Sequence, residues 1–156
     1  MRNHPNVIAV QDALEAAGAT GPDGQPCQVI LLDEAVHTAA AAAAALYIEV
    51  GQIANSLIFD AAGEPLLVLT SGAHRVDTAR LGDLKRATPA FVREHTGQPI
   101  GGVAPLGHPK PVRTLVDTAL GEYDAIWAAG GVPQAVFAIT YAELLRVTAG
   151  TATDVA

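Results

Sequence analysis

Apolar residues recur at helical spacing at Val7, Val10, Leu14 and Ala17 and stop at Gly18, which predicts an amphipathic helix closed by a glycine cap. The turn-rich "GPDGQP" follows, and "CQVILL" reads as a short strand. Thr38 stands ahead of seven alanines and Leu46, as in an N-capped helix whose small side chains let it lie close to a sheet. "ANSLIF" and "PLLVLT" are strands separated by "DAAGE", where Gly63 suits a short hairpin and an antiparallel pair. "TARLGDL" reads as a helical turn or two, and "TPAFVREH" as a helix with Pro89 at its first position. Thr96 to Pro111 then holds four Gly and four Pro in sixteen residues, too stiff and turn-rich for a flexible linker. The last third alternates again: "RTLVD" as strand, "TALGEY" as a helical turn, "AIWAA" and "AVFAIT" as strands around "GGVPQ", and "TYAELLRV" as a final helix. Strands and helices interleave without a regular βαβ rhythm, so the expected class is α+β. One domain is expected over 1–156, with an N-terminal helix and turn over 1–27 and a frayed tail over 151–156.

One polar residue interrupts the pattern. In "GQIANSLIFD" a period of two puts Asn55 on the same face as Ile53, Leu57 and Phe59, with Ala54, Ser56 and Ile58 on the other. A buried carboxamide without partners costs roughly 1–3 kcal/mol, so Asn55 is either hydrogen-bonded inside or faces a cavity.

Composition narrows the function. Half of the 156 residues are apolar but only 4% are aromatic, so small aliphatic side chains fill the core. A net charge of −7 and two lysines, Lys85 and Lys110, argue against general electrostatic attachment to nucleic acid, DNA in particular. No segment approaches the length of a membrane span, and a lone Cys27, read as a small buried residue, forms no internal disulfide, so a cytoplasmic protein is expected.

The usual catalytic patterns are missing. His4, His37, His74, His95 and His108 form no H-x-x-x-H or His-Cys spacing, so no metal is expected. Ser56 and Ser71 are the serines, and neither lies in G-x-S-x-G. "GQPIGGVAPLG" is neither a P-loop nor a dinucleotide fingerprint. Its glycines have two readings: they supply unusual backbone angles, or they turn bare N–H groups into a cavity where these polarise a carbonyl.

"HTAAAAAAAL", "VGQIANSLIF", "SGAHRVD", "ATPAFVREHTGQPIGGVAPLGH", "TLVDTAL" and "IWAAGGVPQAVFAITYAELLRVTAG", in that order, resemble the YbaK/ProX family, free-standing relatives of the editing domain of bacterial prolyl-tRNA synthetases. The resemblance spans about Val29 to Gly150, and its most specific piece is the G-x-x-x-P loop Gly101-Gly102-Val103-Ala104-Pro105. It implies a single domain with a curved, mixed, mostly antiparallel sheet flanked by helices. It also implies a trans-editing hydrolase that cleaves the ester between a wrong small amino acid and the 3′ end of tRNA, with no cofactor. In such a family a water attacks, assisted by the terminal ribose, while amides of the loop hold the carbonyl oxygen.

Carried onto this chain, the resemblance makes Gly101, Gly102, Val103, Pro105 and Asn55 the catalytic candidates and Thr38, Ile53, Leu57, Ser71, Gly72 and Gly130 the substrate-binding ones. Arg75, Arg80, Lys85 and Arg86 are candidates for docking a mischarged tRNA, although scattered basic residues also describe a solvated face. A synthetase is a further possible partner. The family pattern has lysine where this chain has Asn55, which leaves open a non-catalytic module that binds aminoacyl-tRNA or a synthetase. "WAAGGVP" departs from the cysteine-specific branch, and the aliphatic walls suggest Ala, Ser, Thr or Cys as the acyl group. Asp77 and Asp117 are read as loop braces, His37 and Thr38 as the entry to the alanine helix with a possible place at the pocket edge, and Trp127 and Phe137 as core.

Overall fold

The computed structural model describes residues 2–82 and 84–156. Helix α1, Pro5–Ala16, begins where the His4 ring accepts a hydrogen bond from the Asn6 amide, and it buries Val7, Val10 and Leu14. Strand β1 is only Ile30–Leu31, and helix α2, Ala39–Leu46, starts at Thr38, whose hydroxyl accepts from the Ala41 amide at 3.1 Å. Its alanines serve the close packing expected of them: Ala42 and Ala43 meet Ile53 in a small apolar cluster. Strands β2, Ile53–Ala61, and β3, Glu64–Ser71, form an antiparallel hairpin over Ala62 and Gly63, both at positive φ.

Strand β4, Lys85–Arg86, is a short element that the periodicity gave no sign of. The helix expected in "TARLGDL" does not form: Thr78 to Leu81 is a turn braced by Asp77, whose carboxylate accepts from the amides of Ala79 and Arg80, while Asp83 lies outside the described residues. Helix α3, Pro89–Thr96, is capped by Thr88 and ends at Gly97 in the left-handed region. Strands β5, Arg113–Asp117, β6, Ile126–Ala129, and β7, Ala135–Ile139, and helix α4, Tyr141–Thr148, follow as expected. The tail does not fray. Thr151–Thr153 form strand β8 against β5, Val155 is fully buried, and its carbonyl accepts from the Asp77 amide at 2.7 Å.

The strands form one mixed sheet in the order β1-β7-β6-β2-β3-β5-β8, with β4 also on β2. Four pairings are antiparallel (β1–β7, β2–β3, β2–β4, β6–β7) and three are parallel (β2–β6, β3–β5, β5–β8). The main core packs α1, α3 and α4 side chains against one face of the sheet around Leu67, Leu69, Ile126 and a fully buried Phe137. A chain with so few aromatics achieves this with aliphatic side chains, each worth about 1.5–3 kcal/mol when buried.

Candidate active site

The site begins where β2 loses a neighbour. Strand β3 occupies one edge of β2 along its length, so β6 and β4 share the other. Strand β6 pairs with Ile53 and Ala54, β4 with Phe59 and Asp60, and among the described residues no strand meets that edge from Asn55 to Ile58. A small cavity opens at this break. Its walls come from the start of α2 (His37, Thr38, Ala39, Ala42), from β2 (Ile53 to Ser56), from β6 and the start of β7, and from Gly101 and Val103.

The loop's own hydrogen bonds decide what it presents. The Gly102 amide donates to the Pro99 carbonyl at 2.9 Å, and the Ala104 amide donates to Oε1 of the buried Gln98 at 2.7 Å. The amides of Gly101 and Val103, both on the cavity wall, have no partner among the described residues. Gly101 has φ +89°, and a Cβ there would lie 3.4 Å from His37 Nδ1. Gly102 leaves no room for one: it would stand 2.8 Å from both Cα and C of Val132.

Two polar residues of β2, Asn55 and Ser56, belong to the same wall. Asn55 is half-buried and its carboxamide makes no hydrogen bond among the described residues; the Ser56 hydroxyl is buried and likewise unpartnered. Ile53, Ala54, Trp127 and Ala128 supply apolar wall, and the lining contains no carboxylate, Lys or Arg among the described residues. Such a hollow combines an apolar wall with a few polar groups, the usual make-up of a small-molecule site.

Sequence comparison decides the family. The profile of the aminoacyl-tRNA editing domain matches residues 33–147. This chain belongs to the aminoacyl-tRNA editing domain family. It is 32% identical over 127 residues to a proline–tRNA ligase of Nitratidesulfovibrio vulgaris, a match covering 75% of the chain and 22% of the ligase. The editing domain thus spans about a fifth of the length of that relative. A crystal structure presented as a candidate trans-editing enzyme for prolyl tRNA synthetase is 41% identical, with a TM-score of 0.87 and 97% of both chains covered. A scaffold protein used for grafting linear epitopes is 38% identical with a TM-score of 0.86, again over 97% of both chains. The mixed single-domain fold expected from the sequence is that of these relatives.

Within this editing domain, Asn55, Gly101, Val103, Thr38 and Ile53 meet at the cavity. Other expected site residues do not line it. Gly102 is turned into the loop, and Pro105 borders a separate groove against α1 and α4. The Ser71 hydroxyl donates to the Gly51 carbonyl at 2.8 Å, Gly72 donates its amide to the Ile53 carbonyl and packs on Val50 and Ala39, and Gly130 donates to the Ala135 carbonyl beside Val29. These three position the walls from behind. Leu57 shares Asn55's face of the strand yet borders a neighbouring groove with Arg86, Ile100 and Val103.

Among the basic candidates, Arg75, Lys85 and Arg86 are exposed, and Arg80 pairs with Asp154 at 2.5 Å. Asp117 is a brace, as read: its carboxylate accepts from the Thr70 hydroxyl, the Ser71 and Ala119 amides and, at 2.9 Å, pairs with His74 Nδ1. Cys27 is buried, and its thiol is pushed up to about 11 by burial and then by Glu143 and Asp23.

Ser56, Trp127 and Ala128 are wall residues that strand periodicity did not single out. The cavity lies around an edge of β2 rather than over one face, so consecutive residues 53–56 all reach it.

Proposed function

We propose that this chain is a trans-editing aminoacyl-tRNA deacylase that hydrolyses the ester joining a small amino acid, of the Ala, Ser, Thr or Cys class, to the 3′ end of a mischarged tRNA. The observation that carries this reading is the pair of amides without a partner among the described residues, those of Gly101 and Val103, in the wall of a small cavity lined largely by apolar groups. The acyl side chain lies against Ile53, Ala54 and Ala128. The carbonyl oxygen takes hydrogen bonds from the two amides, whose donation strengthens as negative charge develops on that oxygen. A water attacks, with the neighbouring ribose hydroxyl as its proton partner, so no side-chain nucleophile is needed. Asn55 offers a donor and an acceptor to the ribose but no charge. Arg75, Lys85 and Arg86 are the cations available to acceptor-stem phosphates in a cytoplasmic encounter; Arg80 reaches them only by leaving Asp154.

Purified protein incubated with Ala-, Ser-, Thr- and Cys-charged tRNA tests this directly. Release of at least one amino acid well above the buffer rate is expected, and buffer-level release on all four removes the proposal.

The uncharged Asn55 favours a second reading, a module that binds an aminoacyl-tRNA end or a synthetase without turnover. Tight binding of a non-hydrolysable aminoacyl-adenosine mimic, with no hydrolysis of any charged tRNA, selects it.

A further inference from the structure

Ser56 is unengaged in three ways. Its hydroxyl is the one buried side-chain polar atom without a hydrogen-bond partner among the described residues. The Ile53 carbonyl accepts from the Gly72 amide at 2.8 Å, so odd-numbered residues of β2 turn N–H and C=O toward β3 and even-numbered ones toward the opposite edge. At Ser56 that edge has no strand, and no loop amide or side chain bonds its N–H or C=O among the described residues. Ser56 and Val103 also form the partition between the cavity and the groove beside it.

A buried hydroxyl and a strand carbonyl left open carry a desolvation penalty that a ligand with matching donors removes. We infer that Ser56 holds the α-amino group of the acyl moiety, its Oγ and its main-chain carbonyl each accepting an N–H from it. This assignment rests on the deacylase reading above. The amine is the part of an aminoacyl ester richest in donors, and the cavity wall has no carboxylate to receive it among the described residues; of the remaining acceptors, the Thr38 hydroxyl already caps α2, His37 and Asn55 are each a single side-chain acceptor, and Ser56 alone sets an open hydroxyl beside an open carbonyl. The ester carbonyl instead needs donors, and the Gly101 and Val103 amides fill that need from across the same partition. Ser56 is therefore a positioning residue that orients the acyl group by its amine.

The test compares kcat/KM for alanyl-tRNA with that for lactyl-tRNA, which carries a hydroxyl in place of the amine, using wild-type protein, Ser56→Ala and Ser56→Gly. Wild type favours the alanyl ester, and both variants lower the alanyl-to-lactyl ratio by about tenfold. Seryl-tRNA loses as much as alanyl-tRNA. Thermal melting of each variant confirms folding, and Ser56→Ala removes an oxygen that bonds nothing among the described residues. An unchanged ratio in active variants overturns the inference alone. A loss confined to seryl-tRNA also overturns it, because the hydroxyl then reads the amino-acid side chain. Wild-type protein that releases no amino acid from alanyl-, seryl-, threonyl- or cysteinyl-tRNA overturns both this inference and the deacylase reading.

Discussion

The Gly102 amide donates to the Pro99 carbonyl across 2.9 Å, and that bond sorts the amides of the glycine loop. With Ala104 tied to Gln98, the loop is held from both sides, and Gly101 and Val103, which line the cavity, keep N–H groups without a partner among the described residues. In the deacylase reading proposed above, these bonds pre-set the two donors, so they need little reorganisation when charge appears.

Gly102→Ala is expected to be the more damaging of the two glycine substitutions. Its Cβ would meet Val132 Cα at 2.8 Å and Pro133 N at 3.0 Å, backbone atoms that do not yield. A stability loss of about 1–3 kcal/mol follows from overpacking. Deacylation falls on the order of 10²-fold as the neighbouring amides shift. Gly101→Ala strains the backbone by about 1–2 kcal/mol. Its nearest neighbour, at 3.4 Å, is a His37 ring atom that can move. Urea unfolding and single-turnover deacylation separate the two effects.

Asn55→Lys is expected to raise kcat/KM by about tenfold, the worth of a charge-assisted hydrogen bond over a neutral one, with the gain shrinking as salt is added. A fall in activity instead would assign the amide a polar role of its own. Asn55→Ala, which removes a carboxamide that bonds nothing among the described residues, changes stability by no more than about 0.5 kcal/mol in chemical denaturation.

Asp117→Ala should destabilise strongly although Asp117 touches no part of the cavity. Its carboxylate is 1% exposed and serves two amides, a hydroxyl and a histidine at once. Removing it leaves those donors without their acceptor, a loss on the order of 3 kcal/mol or more. Urea midpoints measure it, and a change below about 1 kcal/mol would mean that the brace is dispensable.

Acid sensitivity is expected from Glu143. The Arg146 guanidinium, then the Thr20 amide, hold its carboxyl down from 4.5 to about 2. A carboxyl depressed in the folded state stabilises above its unfolded value and loses that contribution as pH falls through the folded one. The stability of wild type therefore drops between about pH 4.5 and about pH 2 more than that of Glu143→Gln, by thermal melting across that window. Parallel curves for the two proteins would count against the linkage.

Much of this chain was legible before folding. Thr38 caps the helix its position announced, and the helices expected at Pro89 and in "TYAELLRV" start at Thr88 and Thr140 caps in the same way, because an N-cap joins a side chain to an amide two or three residues away. The Ala62-Gly63 hairpin is local in the same sense. Strand β4 and strand β8 were not legible: two or three residues have no period, and each exists because a partner strand supplies its hydrogen bonds. The turn at Thr78 failed as a helix because an Asp77 carboxylate captured the amides that a helix would have used.

The order of motifs by itself determined the family and brought Asn55 and the glycine loop to notice as parts of one site. What only tertiary structure decided is which groups in that site are free. Period two assigns side chains to faces of a strand but says nothing about which edge lacks a neighbour, and here the cavity opens at an edge, between β6 and β4. For the same reason the sequence cannot tell Gly101 from Gly102 or reveal Ser56: whether an amide or hydroxyl is already bonded depends on partners brought close only when the distant strands and loops pack together.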